Sequence, residues 1–192
     1  MFSKDFSNLT GKILIASPYT MEGNMFHRSL IYVVHHGESG SAGFIFNRLA
    51  KNTPANQLFQ NLDPEIKVNL SNLEMHIGGQ MDLERGFFLH SAEYEKNVLF
   101  RLENSNLAIS SNLEILKDIA EGAGPSDKMF IVGFTGWGPG EMEAEIENNL
   151  WIVSEPDEKL MFKANNEIKW SLALAKLGME SSDFAPPFIA HC

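Results

Sequence analysis

Apolar residues along this chain come in short runs separated by turn residues. "GKILIASP" (11–18), "RSLIYVVHH" (28–36), "AGFIFNR" (42–48), "LEMHIGG" (73–79) and "RGFFLHS" (85–91) read as strands. "NVLFRL" (97–102), "LAIS" (107–110), "KMFIVGF" (128–134) and "WIVSEP" (151–156) extend the series, with "KMFIVGF" apolar enough for a buried strand. "GESGS" (37–41) joins the second and third runs and predicts a β-hairpin.

Helical spacing appears in four places. In "SSNLEILKDIAEGAG" (110–124), Ser111 and Glu114 have capping-box spacing, Leu113, Leu116 and Ala120 share a face, and Gly122 is placed to stop the helix. "EMEAEIENNL" (141–150) sets Met142 and Ile146 one turn apart, and "NNEIKWSLALAKLG" (165–178) sets Trp170, Leu174 and Leu177 on one stripe. "TPANQLFQNL" (53–62) predicts a short helix capped by Thr53, with Pro54 in its first position. Roughly eight strands and about four helices, without steady β-α alternation, predict an α+β fold with a mixed sheet.

The 192 residues are expected to form a single domain with an irregular tail over about 180–192. The N-terminus lacks the basic start and long apolar stretch of a signal peptide. No apolar run is long enough to cross a membrane. The only cysteine is Cys192, so no intrachain disulfide forms. A cytoplasmic protein is expected. Formal net charge is −10, while residues 1–51 hold five Lys/Arg against three Asp/Glu. That surplus is a faint footprint for phosphate backbones, and it disfavours direct nucleic-acid binding.

"FTGWGPGEME" (134–143) poses the sharpest chemical question. A strand, glycines and a helix start are the geometry of an anion site. Yet no Walker lysine follows, Pro139 removes an amide donor, and Glu141, Glu143, Glu145 and Glu147 crowd the helix start. A structural corner is the favoured reading, with Trp137 packed. Glu141 and Glu145 share a helix face, which reads as solvated, with metal binding or acid–base chemistry as the sharper alternative. The six histidines, His27, His35, His36, His76, His90 and His191, show no zinc-binding spacing, so neither a metal nor a cofactor is expected. No G-x-S-x-G elbow is present.

Taken in order, "GKILIASP", "FHRSLIYVVHH", "GSAGFIFNR", "HIGGQ", "GFFLHS", "FTGWGPGEMEAEI" and "NNLW" resemble the YqgE/AlgH family of bacterial proteins, over about residues 8 to 180. The resemblance implies a mostly antiparallel sheet curled into a pseudo-barrel with flanking helices. It implies no established reaction, although the family name suggests transcriptional regulation. The family's recurrent positions fall on Arg28, Ser29, His35, Gly43, Asn47, Gly78, Gly79, His90, Gly136, Trp137, Gly138, Gly140, Glu145 and Trp151. Its usual "GGPV" and "GQLE" stand here as "GGQM" (78–81) and "GEME" (140–143). The second change replaces a neutral donor at Glu141 with a group that only accepts.

Arg28, His35, Asn47 and His90, with Trp137, form a candidate pocket at the mouth of the curled sheet. Gly43, Gly78, Gly79, Gly136, Gly138 and Gly140 are read as structural. Asn47 has a second reading as a bridge between backbone groups, and Arg28 as the partner of a carboxylate. The favoured function is a non-catalytic binding or regulatory domain acting through a protein partner or small ligand. The alternatives are a hydrolase-like enzyme using Arg28, His35, Asn47 or His90, and a transcriptional regulator.

Overall fold

A computed structural model describes residues 8–18, 23–50, 73–102 and 105–179. The predicted helix at 53–62, the predicted tail, His191 and Cys192 lie outside these residues. Nine strands are described: β1 Ile13–Ala16, β2 Leu30–Gly37, β3 Gly40–Ile45, β4 Met75–Ile77, β5 Met81–Ser91, β6 Phe100–Arg101, β7 Leu107–Ser110, β8 Lys128–Trp137 and β9 Trp151–Ser154. The four described helices are α1 Glu114–Ala120, α2 Glu141–Glu147, α3 Glu158–Phe162 and α4 Lys169–Lys176.

The strands lie in the order β6-β7-β5-β8-β3-β2-β1-β9, with β4 beside β8. β4 and β8 pair in parallel, and every other pair is antiparallel. The sheet is mixed, as the α+β reading expects, and curls into a half-barrel, as the family resemblance implies. β2 and β3 form the expected hairpin, with Gly37 opposite Gly40 across a two-residue turn.

The central stretches of the strands are apolar because the sheet is covered there on both faces, whereas the first half of β5 and all of β6 are exposed. Alternate residues point opposite ways. Ile13, Ile15, Leu30, Tyr32, Phe44, Phe46, Phe87, Leu89, Met129 and Ile131 face one core, which α3 and α4 close with Leu160, Met161, Trp170 and Leu174. Their neighbours Leu14, Ile31, Val33 and Ile45 face a second core with Met142 and Ile146 of α2 and with Trp137 and Trp151. Phe88, Phe130 and Val132 meet Ile115 and Leu116 of α1 in a third. Each large side chain so buried contributes about 1.5–3 kcal/mol.

Several boundaries differ from the sequence expectation. α1 begins at Glu114, and its capping side chain is Asn112, whose Oδ1 accepts from the Ile115 amide at 3.2 Å. Ser111 therefore does not act as the cap. Gly122 ends the helix as expected, at φ +76°. Leu177 is 39% exposed, so the buried stripe of α4 runs through Lys169, Trp170, Ala173 and Leu174 instead. α3 was not apparent in the sequence, since five residues do not display a helical period.

β8 also runs further than the sequence indicates. It continues through Gly136 and Trp137, which pair with Ala42 and Ser41 of β3. The corner is thus confined to Gly138, Pro139 and Gly140. Gly140 takes φ +75°, a left-handed conformation that glycine adopts freely. Glu141 Oε2 accepts from the Gly138 amide at 2.8 Å. The protein's own carboxylate takes up this amide, an arrangement in keeping with the reading as a structural corner. A glutamine oxygen would accept the same hydrogen bond, so the family's usual residue changes little at this contact. Glu141→Gln is expected to shift stability by less than about 0.5 kcal/mol, whereas Glu141→Ala costs about 1 kcal/mol by urea denaturation.

Candidate functional site

The residues singled out in sequence separate into three places. Arg28 and Asn47 meet at the entry to β2. Asn47 Oδ1 accepts from the Leu30 amide at 2.9 Å and its Nδ2 donates to the Arg28 carbonyl at 2.8 Å. Asn47 is the backbone bridge, and it holds Arg28 at φ +55°. The Arg28 guanidinium lies 5.2 Å from the Trp170 ring centroid, a cation–π contact, and among the described residues it forms no ion pair with a carboxylate, the alternative reading for this residue.

His35 is exposed near the far end of β2, seven residues from Arg28, or roughly 23 Å along a strand. It shares a shallow groove with Trp137, Met81 and Phe134. His90 is fully buried on β5. Its Nδ1 lies 2.9 Å from the Ser91 carbonyl, and its Nε2 lies 2.9 Å from Ser110 Oγ. These partners suit a neutral ring that donates through Nδ1 and accepts at Nε2, and burial lowers its pKa. His90 pairs with Lys128 at the start of β8, while His35 reaches β8 through Ala42 and Gly136 near its end. Eight residues of strand, roughly 26 Å, separate the two histidines. Arg28, His35, Asn47 and His90 therefore do not converge on one cleft, as a shared acid–base site requires.

The acidic face of α2 is not a free solvated face. Glu143 Oε1 lies 3.1 Å from His36 Nε2. Glu145 Oε2 accepts two indole N–H groups, from Trp137 at 2.8 Å and from Trp151 at 2.6 Å. With Glu141 on the Gly138 amide, three of the four glutamates have internal partners. Among the described residues, no group of three or more His, Cys, Asp or Glu is placed to hold a metal ion.

A polar cavity lies elsewhere, between the β4–β8 pair and the α3–α4 connection, with a volume of about 510 Å³. That is within the usual range for small-molecule sites. At its floor is Lys169, only 2% exposed. Its Nζ donates to the Met161 carbonyl at 2.6 Å, to Asn166 Oδ1 at 2.7 Å and to the Phe46 carbonyl at 3.3 Å. Asn166 Oδ1 also lies 3.3 Å from His76 Nε2, and Asn166 Nδ2 donates to Glu74 at 3.2 Å. Burial lowers the pKa of His76, and Lys169 adds to the effect. Lys128 and Lys163 complete the charged wall, with Lys163 paired to Asp127. The sequence reading missed this cluster, because the burial of Lys169, rare for a lysine, is visible only in the fold.

Lys169 gives a pH-dependent expectation. Burial takes its pKa from 10.5 down to about 8. The unfolded chain holds that proton up to the ordinary value, so between the two values the unfolded state binds more protons. Stability from this group therefore rises with pH across that window. Urea denaturation of the wild type relative to Lys169→Met is expected to show a gain of roughly 2 kcal/mol between about pH 7.5 and about pH 9.5.

The fold class is an α+β half-barrel. Residues 13–182 match the AlgH-like family, DUF179, so the chain belongs to that family. UPF0301 proteins of Rickettsia felis and Rickettsia prowazekii are each 43% identical over 185 residues, covering 96% of this chain and 97% of theirs. The solution structure of the AlgH protein from Pseudomonas aeruginosa superposes with a TM-score of 0.76 at 30% identity, covering 95% of both chains. A crystal structure from Corynebacterium diphtheriae shares the fold, with a TM-score of 0.68 at 22% identity over 92% of this chain and 90% of that one. No described helix is long and apolar enough to cross a membrane.

Proposed function

We propose that this chain is a non-catalytic binding domain that acts by holding a small ligand in the Lys169 cavity. One observation carries the reading. The reactive side chains picked out in sequence are engaged in structural contacts or stand apart, whereas His76, Asn166 and Lys169 are joined around a cavity of about 510 Å³. Three internal acceptors take up the three N–H donors of the Lys169 ammonium, so it supports the cavity as a fixed buried charge and is not free for nucleophilic attack. Its acidic charge disfavours direct DNA binding, and a protein partner remains the other form of the same reading. The scarcity of cysteine is in keeping with a cytoplasmic setting.

Native mass spectrometry of protein gently purified from its own cytosol tests this. An added small mass is expected, and the released molecule should emerge chemically unchanged after incubation with fresh protein. Conversion of that molecule would overturn the non-catalytic reading. A bare mass would overturn the ligand.

A further inference from the structure

The formal charge of the chain is −10, but the wall of the Lys169 cavity has the opposite sign. Lys128, Lys163 and Lys169 stand there against Glu74 and Asp127, a surplus of one positive charge. Asp127 is paired with Lys163, whereas Glu74 meets only the neutral Asn166 amide and keeps its charge, one negative group against Lys128 and Lys169. Two of the lysines face neutral oxygens. Lys128 Nζ donates to the Pro125 carbonyl at 2.9 Å, and Lys169 donates to two carbonyls and an amide oxygen. A carbonyl satisfies a hydrogen bond without neutralising a charge, so positive potential persists inside the cavity.

The charge is also graded in depth. The Lys163 side chain is 64% exposed, at the mouth, while Lys169 is 2% exposed, at the floor. Leu73, Met129 and Met161 supply apolar wall between them. From this wall we infer that the cavity receives a small organic molecule with a single anionic group, a carboxylate or a phosphate, its apolar part against Met129 and Met161. The inference rests on the binding reading and adds the chemical class. Glu74 and Asp127 set the upper limit on charge, because a second anionic group would meet them. They also select against long polyanions, for which the cavity is too small.

The test is an NMR titration of the full-length protein with inorganic phosphate and, separately, with pyruvate, using sodium chloride at matched ionic strength as the control. Saturable shifts are expected at the backbone amides of Lys128, Met129 and Lys163 with at least one of the two anions. Response to phosphate alone assigns a phosphate ligand, and response to pyruvate alone a carboxylate. The Lys128→Ala/Lys163→Ala variant replaces partly exposed residues, so its remaining spectrum should stay that of the folded protein. Its affinity for the responding anion is expected to fall about tenfold or more. Absence of saturation, equal shifts with chloride, or unchanged affinity in the variant would overturn the inference. The binding reading fails separately. A neutral or cationic molecule recovered unchanged by native mass spectrometry would sink the anion class and leave the binding domain standing.

Discussion

Gly79→Ala is expected to destabilise the protein by about 4 kcal/mol or more, enough to leave little folded material. A Cβ at Gly79 would sit 2.2 Å from the Phe134 carbonyl carbon and oxygen and 2.4 Å from the Thr135 nitrogen. All three atoms belong to the backbone of β8, the strand that pairs with β3, β4 and β5. No rotamer change relieves the clash. The main chain after β4 must move away from β8, and the neighbouring contact of the Gly78 carbonyl with Thr135 Oγ1, at 3.1 Å, would go with it.

Gly140→Ala supplies the comparison. Gly140 has φ +75°, but a Cβ there would meet nothing within 4 Å. Only left-handed strain is paid, about 1–2 kcal/mol. Circular dichroism and urea denaturation of the two variants should show one failing to fold and the other folding with reduced stability. Equal, mild losses would mean that β4 has room to shift against β8.

Glu145→Ala is expected to cost about 3 kcal/mol. The Glu145 carboxylate is the shared acceptor for the Trp137 and Trp151 indoles, which are 7% and 2% exposed. Alanine leaves two mostly buried N–H donors without that partner, each worth roughly 1–3 kcal/mol when unsatisfied, and water entering at α2 recovers a part. The two rings stand edge to face with centroids 6.3 Å apart, and the carboxylate fixes that geometry. A fall in melting temperature of roughly 6–12 °C follows for a chain of this length. Glu145→Gln keeps an acceptor oxygen and should cost about half as much. Glu147→Ala, at an exposed position on the same helix, should be close to silent. Guanidinium denaturation followed by tryptophan emission reads all three variants. A Glu145→Ala loss no larger than that of Glu147→Ala would show that the carboxylate is incidental to the packing.

Much of the fold was legible because strand segments carry local signals. The run "LIYVV", the turn residues Glu38 and Ser39, and the helical spacing of Met142 and Ile146 each state their own conformation. The glycines at 78 and 79 were marked as structural, and their close approach to β8 supplies the cause. Boundaries were harder. Asn112 displaced Ser111 as the cap of α1 because the helix begins later, and a capping side chain acts only from the residues just before the first turn. β8 ran through "GW" because β3 was there to pair with it, which a glycine-rich stretch does not announce.

The sites were the least legible. Arg28, His35, Asn47 and His90 are noticeable as residue types, but the sheet spreads them by its own dimensions. His35 and His90 lie toward opposite ends of β8. His76, Asn166 and Lys169 are separated by as much as 93 positions in the chain, and β4 and α4 bring them together. Nothing in their spacing marks them as a group.

By itself, the sequence determined the α+β class, the main strands, the hairpin and the glycine corner, because propensity, hydrophobic period and turn chemistry act over a few residues. The tertiary structure alone decided which polar groups became neighbours. It gave Glu145 to two indoles and Glu141 to the Gly138 amide, and it placed Lys169 beneath a cavity. Those outcomes depend on which strands pair and which helix covers which face, and buried charges and N–H groups then take the partners that packing leaves within reach.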